Sequence, residues 1–233
     1  MKKRITLISD THTKHNKLDG FLDGGDILIH AGDFMSSGYN EMEAMMFLKW
    51  YDEIKNYDTK IFIAGNHDRW FQNESMKVKG ILTGYKTIDY LEDDLMMVGG
   101  ENYEDMIKIW GSPWQPEFYN WAFNLPRGEK LKEKWDMIPM NIDILITHGP
   151  PFGKLDYVNY NKINVGCEEL LKRIEEVKPK IFVCGHIHEG RGYVFDGNTH
   201  YFNASVLNDR YEFRNKPFTF EWDSETNEVT FVE

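Results

Sequence analysis

Apolar residues in this chain fall into two patterns. The first is a short continuous run stopped by polar or turn-forming residues. Ile5 to Ile8 ends at Ser9-Asp10-Thr11-His12, Ile27 to Ile29 at His30-Ala31-Gly32-Asp33, and Ile61 to Ala64 at Gly65-Asn66-His67-Asp68. Ile142 to Ile146 ends at Thr147-His148-Gly149-Pro150-Pro151, and Lys180 to Cys184 at Gly185-His186-Ile187-His188. Runs of this length and ending predict strands buried on both faces. The second pattern has helical spacing: Met42, Met45, Met46, Phe47, Trp50 and Ile54 predict a helix from Tyr39 to about Ile54 with these side chains as its core-facing stripe. Glu129 to Met137 and Cys167 to Val177, the latter stopping before Pro179, predict two more helices, and Arg69 to Gly80 a short one followed by a loop.

Weaker segments fill the gaps. Thr87 to Tyr90, Leu95 to Val98 and Met106 to Trp110 predict short strands of a meander or second sheet, and Tyr193–Phe195, His200–Asn203, Phe218–Trp222 and Val229–Val232 alternate like an antiparallel sheet. Trp110 to Pro116 is rich in proline and tryptophan and predicts a shaped loop. Its Trp110 and Trp114 either form a wall on which a nucleobase stacks or cover the core. No repeat, low-complexity tract or linker divides the chain, so one domain over residues 1–233 is expected.

The polar residues that end the strands change the picture. Ligands in α/β proteins gather at the carboxyl ends of strands, and side chains two apart on an extended segment share a face, as Asp10 and His12, or His186 and His188, would. Taken singly, each such residue is an ordinary turn or cap. Together, Asp10, His12, Asp33, Asn66, His148, His186 and His188 form a mixed carboxylate, imidazole and amide set suited to manganese, iron, nickel or zinc rather than to calcium or magnesium alone. Seven donors are too many for one ion, so two divalent ions are expected. Within Gly65-Asn66-His67-Asp68, His67 can move a proton and Asp68 can orient its imidazole.

Composition narrows the partners. A hydrophobic content of 41% over 233 residues can build a substantial core, and a net charge of −11 argues against an extended basic track for nucleic acid. Cys167 and Cys184 lie in different predicted elements without metal-site spacing, which predicts buried free thiols in a reducing compartment. The apolar run behind Met1-Lys2-Lys3-Arg4 is too short for a signal peptide, and no stretch reaches membrane-spanning length, so a soluble cytoplasmic protein is expected. The sequons at Asn73 and Asn203 are then chance matches.

In order along the chain, the motifs DTH at Asp10, GDF at Gly32, GNHD at Gly65, THG at Thr147 and GHIH at Gly185 resemble the calcineurin-like metallophosphoesterase superfamily. More narrowly, GSPW at Gly111, the run Ala122 to Gly128, HGPP at His148 and GHIHEG at Gly185 resemble its MPPED group of metallophosphodiesterases. The resemblance implies a four-layer α/β/β/α metallophosphoesterase sandwich with mixed sheets and the site on one rim. It implies that Asp10, His12 and His188 bind one metal, that Asn66, His148 and His186 bind the other, and that Asp33 bridges them. His67 would be catalytic or substrate-binding, with Asp68 its orienting partner. Arg191 stands where the MPPED group has an aromatic residue, and some relatives carry Glu at Asp68; both bear on substrate preference. Arg69 and Arg191 are either phosphate contacts or structural side chains.

The chemistry so implied is attack of a metal-activated hydroxide on a phosphodiester, cyclic nucleotides among the substrates, with His67 as general acid. The partner is a small phosphoester, with no membrane; oligomeric state is left open. A phosphomonoesterase or nuclease of the same superfamily is the competing enzyme reading. A non-catalytic scaffold is the remaining one, and the complete donor set argues against it.

Overall fold

In a computed structural model, which describes residues 1–100, 102 and 105–232, the apolar runs become strands. The first part of the chain forms β1 (Lys2–Ile8), β2 (Gly25–His30), α1 (Glu41–Glu53), β3 (Tyr57–Phe62), α2 (Arg69–Asn73), α3 (Ser75–Leu82), β4 (Asp89–Tyr90), β5 (Asp94–Val98) and β6 (Ile107–Ser112). There follow β7 (Gln115–Pro116), β8 (Asn124–Leu125), α4 (Glu129–Trp135), β9 (Ile144–Thr147), β10 (Tyr157–Val158), β11 (Ile163–Asn164) and α5 (Glu168–Val177). The chain closes with β12 (Ile181–Cys184), β13 (Gly192–Phe195), β14 (His200–Asn203), β15 (Phe218–Asp223) and β16 (Glu228–Phe231).

Two six-stranded mixed sheets result, in the orders β16-β15-β1-β2-β3-β4 and β13-β14-β12-β9-β6-β5. The central strands of each run parallel, and antiparallel pairing is confined to the flanks: β15 on β1 and β16 on β15 in one sheet, β13 on β14 and β5 on β6 in the other. Register keeps like residues in rows, as Ile5 opposite Ile27, Ile29 opposite Ile61, and Ile144 opposite Ile181.

Period-two alternation decides the layers. Ile5, Leu7, Ile27, Ile29, Ile61 and Ile63 of the first sheet pack on Ile109, Ile144, Ile146, Ile181 and Val183 of the second. The intervening positions point outward: Ile8, Leu28 and Phe62 onto Phe47 and Tyr51 of α1 and Phe71 of α2, and Leu145 and Phe182 among Leu131, Trp135, Leu170 and Ile174 of α4 and α5. Helices therefore cover both outer faces, giving the expected four layers. Cys167 and Cys184 are buried and free, as expected.

Three expectations are corrected. On α1, Met42 and Met46 are 64% and 54% exposed, and the buried face is Ala44, Phe47, Leu48 and Tyr51. Aromatic stacking turns the helix: the Phe47 ring lies 4.1 Å from Phe34 and 5.3 Å from Tyr51. Lys60, buried on β3, then fixes the helix end by donating to the carbonyls of Tyr51 (2.7 Å), Asp52 (2.9 Å) and Ile54 (2.7 Å). The segment after Arg69 is two helices broken at Glu74 rather than a helix and a loop. Finally, the tail does not make one antiparallel sheet. β13 and β14 join the second sheet, with β14 parallel to β12, whereas β15 and β16 join the first. Their inner faces meet in the core, where Phe202 stacks on Phe220 at 4.8 Å.

Candidate active site

The carboxyl ends of β1, β2 and β3 in one sheet, and of β9 and β12 in the other, lie on the same rim. Backbone hydrogen bonds hold their loops together: Asp10 N–H donates to Gly32 O (2.9 Å), His12 N–H to Asp33 O (3.0 Å), and Gly185 N–H to His148 O (2.9 Å). Asp10, His12, Asp33 and His186 all have left-handed backbones, with φ of 55°, 40°, 58° and 66°. Such strain in residues with a Cβ persists only where the surroundings enforce it, and it concentrates at functional sites. Two glycines are required by close approach. A Cβ on Gly65 would lie 2.3 Å from Asp33 Oδ1, and one on Gly185 would lie 2.0 Å from Asp10 Oδ2.

All seven predicted donors are brought together, and they are largely buried. Asp10 Oδ1 lies 3.3 Å from His188 Nε2, and Asp33 Oδ2 lies 3.3 Å from His148 Nε2 and 3.7 Å from His12 Nε2. Asn66 Oδ1 lies 2.7 Å from His186 Nδ1 and 3.0 Å from His148 Nε2. Asp10, His12 and His188 form one group able to hold a metal and Asp33, His148 and His186 another, the donor atoms of each lying within 4.8 Å of one another. His12, Asp33 and His67 form a third such group, so Asp33 stands between the first two.

The surroundings prepare these imidazoles as ligands. Nδ1 of His12 faces Met35 O (3.1 Å), that of His148 faces Ala31 O (2.9 Å), and that of His188 faces Asn208 O (2.8 Å). A carbonyl only accepts, so each Nδ1 carries a proton and Nε2 is the nitrogen turned to the centre, where on His148 and His188 a bound metal would take the place of the Nε2 proton. His12 Nε2 is buried with no hydrogen-bond partner. A divalent cation satisfies such an atom, and the donor set therefore fits the metals that its chemistry implies. Burial holds His12 down to about 4 and His186 to about 3, keeping both neutral at physiological pH. Burial also opposes charge on His148 and His188, but Asp33 beside the first and Asp10 beside the second lift each to about 9. Asp10 is itself steadied by Ser205, whose Oγ donates to Oδ2 at 2.7 Å, and by the His186 N–H at 3.1 Å.

The expected pairing of His67 with Asp68 is corrected. Asp68 is fully buried and accepts three backbone N–H bonds, from Asp33 (2.9 Å), Met35 (2.9 Å) and Gly65 (2.7 Å). Both its oxygens are thus occupied in joining the Asp33 loop to the Gly65 loop. His67 instead sets Nδ1 2.5 Å from Ser36 O, stacks on Trp121 at 4.1 Å, and meets His12 edge-on at 4.6 Å.

A pocket of about 670 Å³ opens over the cluster. Arg69 lines it, 4.9 Å from the Tyr39 ring and 6.0 Å from that of Trp121. Arg191 does not; it stacks on Phe218 at 3.4 Å and donates to the carbonyls of Asn203 (3.1 Å) and Lys216 (2.6 Å), a structural placement. Trp110 and Trp114 cover the core, where Trp114 Nε1 donates to Asp93 at 2.9 Å. The aromatic wall comes from elsewhere, from Phe118, Tyr119, Trp121 and Tyr211. His30 also escaped the sequence reading: fully buried, it lies 2.9 Å from Thr11 Oγ1 and accepts from Gly32 N–H at 3.2 Å, tying together two donor loops. So did Asn203, whose Nδ2 holds the carbonyls of Gly185 (3.2 Å) and Ile187 (2.8 Å).

Two sheets end in a shared rim of carboxylates and imidazoles able to hold metal ions, and sequence comparison identifies the class as metal-dependent phosphoesterases. Residues 3–190 match the calcineurin-like phosphoesterase family, and the chain belongs to it. Within that family it is similar to the MPPED group. It is 41% identical over 242 residues to human metallophosphoesterase domain-containing protein 1, covering 94% of this chain and 70% of that one. An uncharacterized protein of Methanocaldococcus jannaschii is 30% identical over 212 residues, covering 87% of this chain and 88% of the other. Among solved structures, TT1561 of Thermus thermophilus is similar at TM-score 0.67 and 13% identity, with 100% of this chain and 99% of that one covered. The phosphopantetheinyl hydrolase of Mycobacterium tuberculosis is similar at TM-score 0.60 and 15% identity, covering 89% and 90%. Those structural likenesses speak for the fold alone. Among the described residues, no helix is long and apolar enough to cross a membrane.

Proposed function

We propose that the chain hydrolyses phosphodiesters, cyclic nucleotides among them, at a centre of two divalent transition metals, manganese first. The observation that carries this reading is Asp33, which shares one metal-competent group with His148 and His186 and another with His12 and His67, while His12 Nε2 beside it is buried without a partner. In this assignment Asp10, His12 and His188 hold one ion, Asn66, His148 and His186 the other, and Asp33 both. Bound divalent ions supply Lewis acidity, bringing the pKa of water towards neutrality and offsetting charge on the phosphoryl oxygens.

The chain's own residues do the rest. Ser205 and the His186 N–H keep Asp10 aimed inward, and Asp68 holds the loops of Asp33 and Asn66 in register through three amides. His67, fixed by Ser36 O on one ring edge and by Trp121 on one face, presents Nε2 to protonate the departing alkoxide. A small substrate matches the pocket of about 670 Å³ and a net charge of −11.

A substrate panel tests the reading. Chelator-treated protein should be inactive and should recover on adding manganese, with diesters cleaved ahead of monoesters and single-stranded oligonucleotides. Preference for monoesters would make it a phosphomonoesterase, and no hydrolysis despite two bound ions would make it a scaffold.

A further inference from the structure

The loop between β7 and β8 leaves large rings in water. Phe118 and Tyr119 are 55% and 77% exposed, with ring centres 4.4 Å apart, and both line the pocket over the metal-competent cluster. Rings held in solvent add little to folding, so an adjoining pair beside a reaction centre calls for another use. Nor is the loop loose. Asn124 Nδ2 donates to the carbonyls of Phe118 (3.1 Å) and Tyr119 (2.9 Å), and Glu117 N–H donates to Leu125 O (2.9 Å). Ala122 N–H donates to Asn66 O (3.1 Å), tethering the loop to the residue whose Oδ1 faces His148 and His186. Trp121 continues the wall onto His67, and Arg69 packs between Trp121 and Tyr39.

We infer that this wall, with Phe118 and Tyr119 at its exposed edge, is a binding site for a planar aromatic group on the substrate's departing alcohol, a nucleobase in chemical class. The inference rests on the phosphodiester reading above. A surface made of rings accepts any base by its π-face and needs no fixed pattern of hydrogen bonds. Its junction with His67 places the ring on the side of the alcohol that His67 protonates. An aliphatic phosphodiester would leave the same rings in water.

Two substrates that differ only in the base decide the matter: adenosine 2′,3′-cyclic phosphate and 1-O-methylribose 2,3-cyclic phosphate. Manganese-loaded wild type should favour the nucleotide about tenfold or more in kcat/KM, the usual worth of a stacked base. Phe118→Ala with Tyr119→Ala should bring that ratio to within about twofold of one, chiefly through the nucleotide's KM, whereas Phe118→Tyr with Tyr119→Phe should keep it. A wild-type ratio near one, or a ratio that survives the double alanine variant, overturns the inference. If wild type cleaves neither substrate, the phosphodiester reading fails instead, and calorimetry then decides the aromatic site. Manganese-loaded protein should bind AMP more tightly than ribose 5-phosphate, and the double alanine variant should lose the difference; equal binding by wild type sinks the site.

Discussion

The rim of donors and the aromatic wall face the same pocket and are built by opposite means. On the rim, side chains are largely buried and most of their polar atoms have a fixed partner, whereas left-handed backbones occur in both regions, at Asp10, His12, Asp33 and His186 and at Tyr119 and Tyr211. At the outer edge of the wall, the Phe118 and Tyr119 side chains are exposed and it is their backbone that is fixed. The contrast separates reaction from recognition. A metal centre tolerates little displacement of its donors and is carried on strand ends between two sheets, while a stacking surface tolerates adjustment and sits on a loop.

Substitutions should respect this division. The largest effect belongs to Asp33→Asn, which should lower activity by more than about 10²-fold, beyond the usual cost of altering a ligand's supporting partner. Metal analysis should show weaker binding of at least one ion, with circular dichroism unchanged. Two retained ions and near-normal turnover would remove Asp33 from its bridging place. Next comes His67→Ala, expected to slow substrates with alkoxide leaving groups by roughly 10² to 10⁴ while both metals stay. A nitrophenyl ester should suffer less, because nitrophenolate leaves without a proton; equal losses would assign His67 to binding phosphoryl oxygens.

Ser205→Ala removes the hydroxyl that steadies Asp10 and should weaken metal binding by roughly 10- to 100-fold. Titration of apo-protein with manganese would show it, and unchanged affinity would make the contact incidental. The smallest effect on rate and the clearest on stability should come from Asp68→Asn. An amide cannot accept as strongly from three buried N–H groups, so a loss of about 1 to 3 kcal/mol is expected by denaturant unfolding. Its rate effect should be the same for alkyl and nitrophenyl leaving groups, and a selective loss with alkoxides would restore Asp68 as the partner of His67.

Most of the rim was legible in sequence because it rests on two strong regularities: continuous apolar runs that must be strands, and chemistry-bearing residues just beyond them. Asp10 and His12, or His186 and His188, stand out on that basis alone. What Asp68 touches was not legible, since adjacency to His67 in sequence says nothing about three amides reaching it across two loops. Local periodicity also could not choose between Met42 and Tyr51 for the buried face of α1, because that choice is made by Phe34 and Phe62 on other elements. Trp121 and Tyr211 were invisible for a related reason. A loop aromatic has no periodicity, and Trp110 and Trp114 in their proline-rich setting were the more conspicuous pair.

The donors come from both sheets: Asp10, His12, Asp33 and Asn66 follow β1, β2 and β3, whereas His148, His186 and His188 follow β9 and β12. Elsewhere the sheets are joined mainly by apolar packing, which is non-directional and does not by itself fix how far one layer has slid over the other. Ions held at the rim would act as a latch across that interface, binding only when the layers are in register. Any ion bound to the native chain alone adds to its stability, by about 2.7 kcal/mol when free ion stands at a hundred times its Kd. Separation of the two sheets and loss of the reaction centre then become a single event, so the cation that serves catalysis also reports, through the melting temperature, that the halves of the protein are aligned.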